Sequence, residues 1–446
     1  MEPVLSSGTT TGTRLNYGLL IRLSVMMFLQ YYVWGIWLPM LYQHLGPNDL
    51  RLSEREIGWI FTVYGLGAIA GPFLFGQLAD RYFATEKLMG ATHLIGGVLL
   101  IYAASLTTFW PIFLALLLYC SLYMPTMGLS NSITFRSLGD ENRNLFPIIR
   151  LWGTIGWIAA GLSFAAYLSS EHIAALRPLF DLVGSPSYKD CLRGAGVISL
   201  LYALYCFFAL PHTPPIPVKE DEVTTPDEGE AGAVKARASA VLECLELLRN
   251  RSFLILIVVS GLIGIMLAFY FEKENPFLEA IGTNPKRIGA YMTIGQIAEL
   301  LVMTVVPLSV ARLGYKWTMI IGAAAWALRF GLSMIGYPWW LMIASIGLHG
   351  FCFGFFFVAA QMYVDRAASG DIKATAQNLF IFVVYGFGTV LGSVLGGELG
   401  HAFGSNWTAI WAGPFVLTVL CILAFAALFR EEEIRKPAVA TDSLVA

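Results

Sequence analysis

Charged residues are scarce in this chain of 446 residues, because only 13% are Asp, Glu, Lys or Arg, whereas 57% are hydrophobic. Soluble globular domains carry about 25% charged residues. Together with a mean hydropathy of +0.67, this composition predicts an integral membrane protein. The net charge of −2 and the pI near 6.3 provide no basic surface, so nucleic acid is excluded as a partner.

The chain also lacks the patterns that metals, nucleotides and catalysis require. Its six cysteines form no CxxC pair and no other metal spacing. No GxxxxGK[ST] motif for a nucleotide phosphate is present, and no cluster of histidines or carboxylates has catalytic spacing. We therefore expect no cofactor, no metal and no enzymatic activity. If the protein needs a source of energy, we expect an ion gradient and not ATP.

Long apolar runs are abundant. A helix that crosses a bilayer needs about 20 predominantly apolar residues. By this criterion the predicted spans are 18–44, 56–79, 87–106, 110–134, 146–169, 194–210, 252–275, 288–311, 317–336, 338–364, 374–399 and 407–429. The sequence thus predicts an all-α membrane protein with twelve transmembrane helices.

The distribution of basic residues predicts the orientation. An even number of spans places both termini on one side, and that side has 17 of the 28 Lys and Arg, whereas the opposite side has eight and three lie within spans. Basic loops remain in the cytoplasm, so both termini are predicted to be cytoplasmic. The first 17 residues show no small-residue cleavage site, so we expect a retained N-terminus on a multi-pass protein of the cell inner membrane.

The two halves of the chain repeat one another. "NSITFRSLGDENRNLFPIIRLWGTIG" aligns with "QMYVDRAASGDIKATAQNLFIFVVYG" at a constant offset of 230 residues, which matches Arg136 to Arg366 and Gly156 to Gly386. Parallel six-helix repeats are typical of secondary transporters that bind substrate near the middle of the membrane. The predicted regions are a cytoplasmic N-terminus (1–17), an N-terminal six-helix bundle (18–210), a cytoplasmic linker (211–251), a C-terminal six-helix bundle (252–430) and a cytoplasmic tail (431–446).

The loop after the second span has the sequence "GQLADRY". Gly76 permits close helix packing, and Asp80 and Arg81 can pair with neighbouring helix ends, which predicts a cytoplasmic gate. An ordinary polar turn is the alternative. The pattern resembles the loop signature of the major facilitator superfamily, with "FATEK" in place of its second basic cluster.

The fifth span carries polar residues at helical spacing. Arg150, Thr154 and Trp157 share one face, so a cation, a hydroxyl and an aromatic ring point to one place. This arrangement suits a planar polar ligand. Alternatively, Arg150 lies at the membrane boundary and extends to lipid headgroups. A second face has small residues that allow close helix contact, namely Gly153, Gly156 and Ala160.

A carboxylic acid lies in the eighth span. Gln296 and Glu299 are three residues apart and share a helical face. A charge at membrane depth is costly and usually functional. Because a low dielectric favours the neutral form of a carboxyl group, Glu299 is the predicted proton-coupling residue. The alternative is a structural glutamate that is permanently paired with Arg329 or Arg150.

Other polar residues interrupt the apolar runs. Gln30, with the tyrosines beside it, is predicted to line the cavity, and His349 to contact a ligand or shuttle a proton; packing is the alternative for His349. The run "FYFEKENPFLEAIG" is expected to form a solvated rim or a gate at the extracellular end of the seventh span.

These motifs together resemble the nucleoside:proton symporter family of the major facilitator superfamily. The resemblance covers nearly the whole chain and includes "FLQYYVWGIWLP", "PIIRLWGTIGWI", "TIGQIAELLVM", "LHGFCFGFFF" and "NWTAIWAG". It implies a nucleoside site that contains Arg150, Thr154, Gln296 and Glu299, with an aromatic residue at Trp157.

The chain departs from the family pattern at several positions. Gly354 follows Phe353 where the family's well-known branch has an aspartate, and His349 stands where a tyrosine is expected. The stretch Leu267–Phe271 lacks amide side chains that the branch has in its seventh span. Several hydrogen-bonding groups that would recognise a ribose or a base are therefore missing or changed, whereas transport itself is expected.

The combined prediction is a monomeric major facilitator transporter that imports a nucleoside or a related polar, partly aromatic solute by proton symport. Its expected partners are the substrate, protons and membrane lipids. The predicted substrate-binding residues are Arg150, Thr154, Trp157, Gln296, Glu299, Phe353, Gln30 and His349. Two alternatives are a transporter for another small solute such as a sugar, and a non-transporting membrane sensor. A sensor would need a folded output domain, which the largely disordered linker does not provide.

Overall fold

The computed structural model describes residues 17–81, 83–139, 142–170, 184–214, 246–368 and 373–431, with only the backbone at 70–81, 144 and 374. Within these ranges the chain is helical and contains no strand, which confirms the all-α class. We number the principal helices α1 (Tyr17–Leu45), α2 (Glu54–Arg81), α3 (Thr85–Ala103), α4 (Phe109–Leu138), α5 (Phe146–Ser169), α6 (Asp190–Phe208), α7 (Arg251–Ala280), α8 (Ile288–Met303), α9 (Val306–Ile335), α10 (Trp339–Ala367), α11 (Thr375–Phe403) and α12 (Trp407–Leu428).

The helices fall at the positions of the predicted spans. Nine of those in the described ranges are long and apolar enough to cross a membrane. The main difference is an interruption within the predicted span 288–311, between Met303, where α8 ends, and Val306, where α9 as numbered begins. Pro307 lies in the first turn of α9, where its missing N–H and fixed φ suit a helix start. The numbered helix α9 contains two helical segments that meet at Gly314, whose φ is +77°. Oγ of Ser309 lies 3.0 Å from Oγ1 of Thr318, so the chain reverses direction at Gly314, and the loop expected after 311 is this tight turn.

Buried apolar side chains form separate cores. One cluster contains only residues from Phe253 to Phe429, whereas two others contain only residues between Leu23 and Leu210. Each core lies on one side of the segment 211–250. We therefore refer to the N-terminal half and the C-terminal half of the chain.

The two halves meet along α2 with α11 and along α5 with α8. Small residues make this contact possible. A Cβ added to Gly58 would lie 2.8 Å from Cα of Gly397, one at Gly65 would lie 2.8 Å from the carbonyl oxygen of Gly386, and one at Gly161 would lie 2.7 Å from that of Gly289. Because these distances are below van der Waals contact, the backbones touch directly. We call these three glycine pairs the seam.

The seam lies towards one side of the molecule. It involves the beginnings of α2 and α8 and the ends of α5 and α11, and these four helix ends face the same side because the helices alternate in direction. The side chains of the predicted gate residues Gly76, Asp80 and Arg81 lie outside the described residues, as do 1–16, most of the linker (215–245) and 432–446. The predictions for these segments stay predictions.

Candidate functional site

Helix α5 presents two different faces. On the small face, a Cβ at Gly156 would overlap the carbonyl group of Phe28, and one at Gly153 would lie 2.6 Å from Cδ2 of Tyr31. The predicted close approach of another helix therefore occurs, and the partner is α1. The same contact places Tyr31 beside Arg150, whose guanidinium carbon lies 4.0 Å from the centroid of the Tyr31 ring.

The guanidinium group of Arg150 is available to a ligand. Its side chain is partly exposed, and among the described residues we find no hydrogen-bond acceptor or carboxylate in direct contact with it. Its stacking on Tyr31 holds the planar group in place while its five N–H donors remain unused. The contact with Tyr31 shows that Arg150 packs against α1 of the same half.

On α8, Gln296 and Glu299 also lack partners. Gln296 is 8% exposed, and its Oε1 is buried without a hydrogen-bond donor in the described structure. The carboxyl group of Glu299 is partly exposed and has neither an ion pair nor a hydrogen bond within the described ranges. A buried unpaired acceptor is costly unless something else satisfies it, so both groups are available to a ligand.

Arg150 and Glu299 lie at the same depth on opposite halves. From the seam contact of Gly161 with Gly289, Arg150 is 11 residues back along α5 and Glu299 is 10 residues forward along α8. At about 1.5 Å per residue, both lie roughly 15 to 17 Å from that contact along antiparallel helices. The charge of Arg150 acts on Glu299 electrostatically, although the two groups form no direct ion pair.

The other cation considered as a partner for Glu299 is already paired. Arg329 is fully buried and lies inside the C-terminal half, where its Nη2 donates to Oε1 of Glu274 at 3.1 Å and to the hydroxyl of Tyr270 at 2.6 Å. Its guanidinium also stacks on the Tyr270 ring at 3.9 Å. Permanent neutralisation of Glu299 by Arg329 is therefore wrong for this conformation.

Helix α10 supports α8 at this point. A Cβ at Gly350 would lie 2.6 Å from the carbonyl carbon of Ala298 and 2.8 Å from the nitrogen of Glu299, so only glycine allows this approach. Phe353 follows in a π-helical turn, Cys352–Val358, and α11 contains another at Phe382–Phe387. Such turns occur frequently at functional sites.

The remaining predicted residues are placed in different surroundings. Thr154 is partly exposed on α5, and Trp157 packs edge-to-face on Trp34 with ring centroids 4.7 Å apart. His349 is 3% exposed, and its ring is stacked against Tyr270 and Phe353. Its Nδ1 has no partner in the described structure.

Gln30 lies apart from this group. It is fully buried within the N-terminal half, where Nε2 donates to Oγ1 of Thr126 at 2.7 Å and Oε1 lies 3.2 Å from Nε2 of His93. Both ends of its amide are therefore occupied. These contacts favour a packing role for Gln30 in this conformation.

The charges at the end of α7 require a correction. Glu272, Lys273 and Glu274 are at most 2% exposed, so the prediction of a solvated rim is wrong. The alternative, a gate at this end of the helix, stays a prediction. Nζ of Lys273 lies 2.5 Å from Oε2 of Glu54 in the other half. The sequence did not indicate this pair, because Glu54 and Lys273 are 219 residues apart.

No group of three or more His, Cys, Asp or Glu that could hold a metal is found among the residues that the structure describes. The site thus consists of a cation, a carboxyl group, an amide and aromatic rings contributed by both halves. Such a set can bind a neutral solute through hydrogen bonds and stacking, and its carboxyl group can exchange a proton.

Comparisons with known proteins identify the family. The model of the nucleoside H+ symporter family matches residues 17–434. Among relatives in Escherichia coli strain K12, YegT is 32% identical, covering 94% of this chain and 96% of YegT. The nucleoside permease NupG is 29% identical over 94% of this chain and 97% of NupG. A xanthosine permease is also 29% identical, covering 94% and 99% of the two chains.

The fold agrees with these relatives. A crystal structure of NupG carrying a D323A substitution superimposes with a TM-score of 0.77 at 28% identity, covering 92% of this chain and 100% of that one. A bacterial homologue of the lysosomal transporter Spinster shares the fold, with a TM-score of 0.67 at 16% identity, over 92% and 95% of the chains. The protein is a multi-pass protein of the inner membrane, and it belongs to the nucleoside H+ symporter family.

Proposed function

We propose that this protein imports nucleosides together with protons, and that Arg150, Thr154, Gln296 and Glu299 bind the substrate between the two halves. One observation carries the proposal: a cation and a carboxyl group from opposite halves lie at one depth, each without an ion pair or a hydrogen bond in the described structure. Trp157 and Phe353 would supply aromatic surface, and His349 would complete the site from behind Phe353.

The proposed topology has twelve transmembrane helices with both termini in the cytoplasm, and two bundles (18–210 and 252–430) joined by the linker 211–251. In this orientation the seam lies on the extracellular side, and the structure is closed to the outside. The partly exposed Arg150, Thr154 and Glu299 would then face a cavity that opens towards the cytoplasm. Rocking of the bundles about the site would expose it to each side in turn.

Glu299 would couple the two solutes. As a carboxylate it is attracted to Arg150 across the cavity, and as a neutral carboxyl group it leaves the guanidinium free to bind the substrate's oxygen atoms. Proton binding and substrate binding would therefore favour each other.

Asp80 and Arg81, after Gly76, would form a cytoplasmic gate when the bundles close on that side. The protein would act as a monomer.

Uptake of radiolabelled uridine into proteoliposomes tests this proposal. With the pH lower outside than inside, wild-type protein should accumulate uridine, whereas Glu299→Gln should only equilibrate it. Glu279→Gln is the matched control, because Glu279 is a partly exposed acid away from Arg150 and Gln296 that accepts hydrogen bonds from Asn48. Equal uptake with and without the gradient in wild type would disprove proton coupling, and competition by a sugar but by no nucleoside would disprove the substrate.

A further inference from the structure

Three tyrosines near Arg150 and Glu299 are not used by the site described above. They are Tyr31 on α1, Tyr64 on α2 and Tyr385 on α11, and each is partly exposed. Within the described structure, none of their three hydroxyl groups has a hydrogen-bond partner. In contrast, the hydroxyl of the neighbouring Tyr32 is bonded to Oγ of Ser163 at 2.7 Å.

The ring of Tyr31 is fixed by its neighbours. Arg150 covers its face at 4.0 Å, and the absence of a side chain at Gly153 leaves room for its edge. The rigid stack leaves only the hydroxyl available for hydrogen bonding. Because the ring is stacked against Arg150, Tyr31 lies beside a charged residue of the candidate site.

Tyr64 and Tyr385 lie on either side of the seam. Each directly precedes a glycine of the pair in which a Cβ at Gly65 would lie 2.8 Å from the carbonyl oxygen of Gly386. The ring of Tyr64 is stacked on Trp34 with centroids 5.2 Å apart and planes 10° from parallel. Tyr385 lies within the π-helical turn of α11 and contacts Phe357.

The three tyrosines belong to one region of the molecule. The ring of Trp34 lies next to both Tyr31 and Tyr64, with centroid distances of 6.1 Å and 5.2 Å. The contact of Gly65 with Gly386 places Tyr64 and Tyr385 at the same point of the seam. Helices α1 and α2 belong to the N-terminal half, whereas α11 belongs to the other. The cluster therefore spans both halves between the seam and the level of Arg150.

The chemistry of the cluster differs from that of the rest of the site. A guanidinium only donates hydrogen bonds and an ionised carboxylate only accepts them, whereas each phenol does both and is neutral. A group that can only donate or only accept matches the edge of a nucleobase, where each position is either a donor or an acceptor. The neutral phenol hydroxyls match sugar hydroxyls, because both can donate a hydrogen bond and accept one.

We propose that Tyr31, Tyr64 and Tyr385 form the ribose-binding side of the site and that their hydroxyls bond the 2′- and 3′-hydroxyls of the substrate. The inference rests on the proposed nucleoside function. Because Tyr64 and Tyr385 belong to opposite halves, the complete set exists only while the seam is closed. Ribose binding is thereby linked to closure of the seam.

Equilibrium binding to the full-length protein in lipid nanodiscs tests this assignment, with uridine and 2′,3′-dideoxyuridine as probes. Wild type should prefer uridine. Tyr31→Phe, Tyr64→Phe and Tyr385→Phe each keep the ring and remove one hydroxyl, and each should weaken uridine binding by about three- to tenfold while leaving dideoxyuridine binding unchanged. Tyr32→Phe is the matched control and should alter neither affinity.

The possible results separate the two proposals. If wild type binds uridine and the three variants weaken both ligands equally, or weaken neither, the ribose assignment is wrong while nucleoside binding stands. Equal affinity of wild type for uridine and dideoxyuridine would also overturn it. If wild type binds no nucleoside at all, the proposed function fails and the ribose assignment fails with it.

Discussion

Nζ of Lys273 in the C-terminal half lies 2.5 Å from Oε2 of Glu54 in the N-terminal half, and 2.9 Å from Oε1 of its neighbour Glu272. The other oxygen of Glu54 accepts a hydrogen bond from the hydroxyl of Tyr42 at 2.5 Å. The lysine therefore has one partner in each half. When the halves separate it loses Glu54 but keeps Glu272, so its charge is never buried alone.

Glu54→Gln should weaken closure on the seam side. A hydrogen bond to a charged group contributes about 2 kcal/mol, and its loss would shift the population towards the state in which the seam is open. A disulfide between cysteines that replace Asn48 and Glu279, detected by mass spectrometry, reports closure because these side chains are in contact across the halves. We expect slower disulfide formation in the Glu54→Gln background.

The control for this change is Arg55→Gln. Arg55 also pairs across the halves, with Glu398 at 2.9 Å, but both side chains are about half exposed. Exposed ion pairs contribute only about 0 to 1 kcal/mol, so disulfide formation should be nearly normal. An equal effect of both changes would contradict a special role for the buried lysine.

Gly161→Leu should prevent α5 and α8 from meeting. The added side chain would overlap the carbonyl group of Gly289, and overpacking of this kind costs about 1 to 3 kcal/mol. We expect lower uridine uptake and slower formation of the same disulfide. Gly128→Ala is the control, because a Cβ at Gly128 meets nothing within 4 Å. Normal uptake by the leucine variant would show that the seam need not close.

Glu274→Gln should destabilise the C-terminal half much more than Glu299→Gln. Glu274 is buried against Arg329, and removing one partner of a buried pair costs about 3 to 5 kcal/mol. Glu299 has no such partner, so its loss should cost less than about 1 kcal/mol. Thermal unfolding of the purified variants in detergent provides the comparison. A larger fall in Tm for Glu299→Gln would indicate a structural role for that residue.

Arg150→Lys should reduce affinity for uridine even though it preserves the charge. A flexible ammonium cannot reproduce the planar stack on Tyr31 or the fork of donors. We expect about tenfold weaker binding by calorimetry. Arg193→Lys is the control, because Arg193 is an exposed residue that bonds Asp190 at 3.2 Å. Unchanged affinity in Arg150→Lys would mean that only the charge matters.

Much of the fold and part of the candidate site could be predicted from the sequence. Apolar runs locate helices because the bilayer requires continuous apolar length, and Arg150 and Glu299 stand out because charges are rare there. The burial of Lys273 could not be predicted, since its partner Glu54 is 219 residues away. Tyr64 and Tyr385 were missed because tyrosine is compatible with both packing and binding, and only the meeting of α2 and α11 distinguishes the two.

The seam has a mechanical consequence. Side chains that interlock must change rotamers before two surfaces can part, but at Gly58, Gly65 and Gly161 the nearest atom of the facing surface belongs to the backbone. The two bundles therefore meet there mainly through backbone atoms, so their separation requires few changes of side-chain rotamers. The barrier to reopening should come mainly from breaking charged contacts and admitting water. A few polar residues at the edge of the seam would therefore set the speed of the transport cycle.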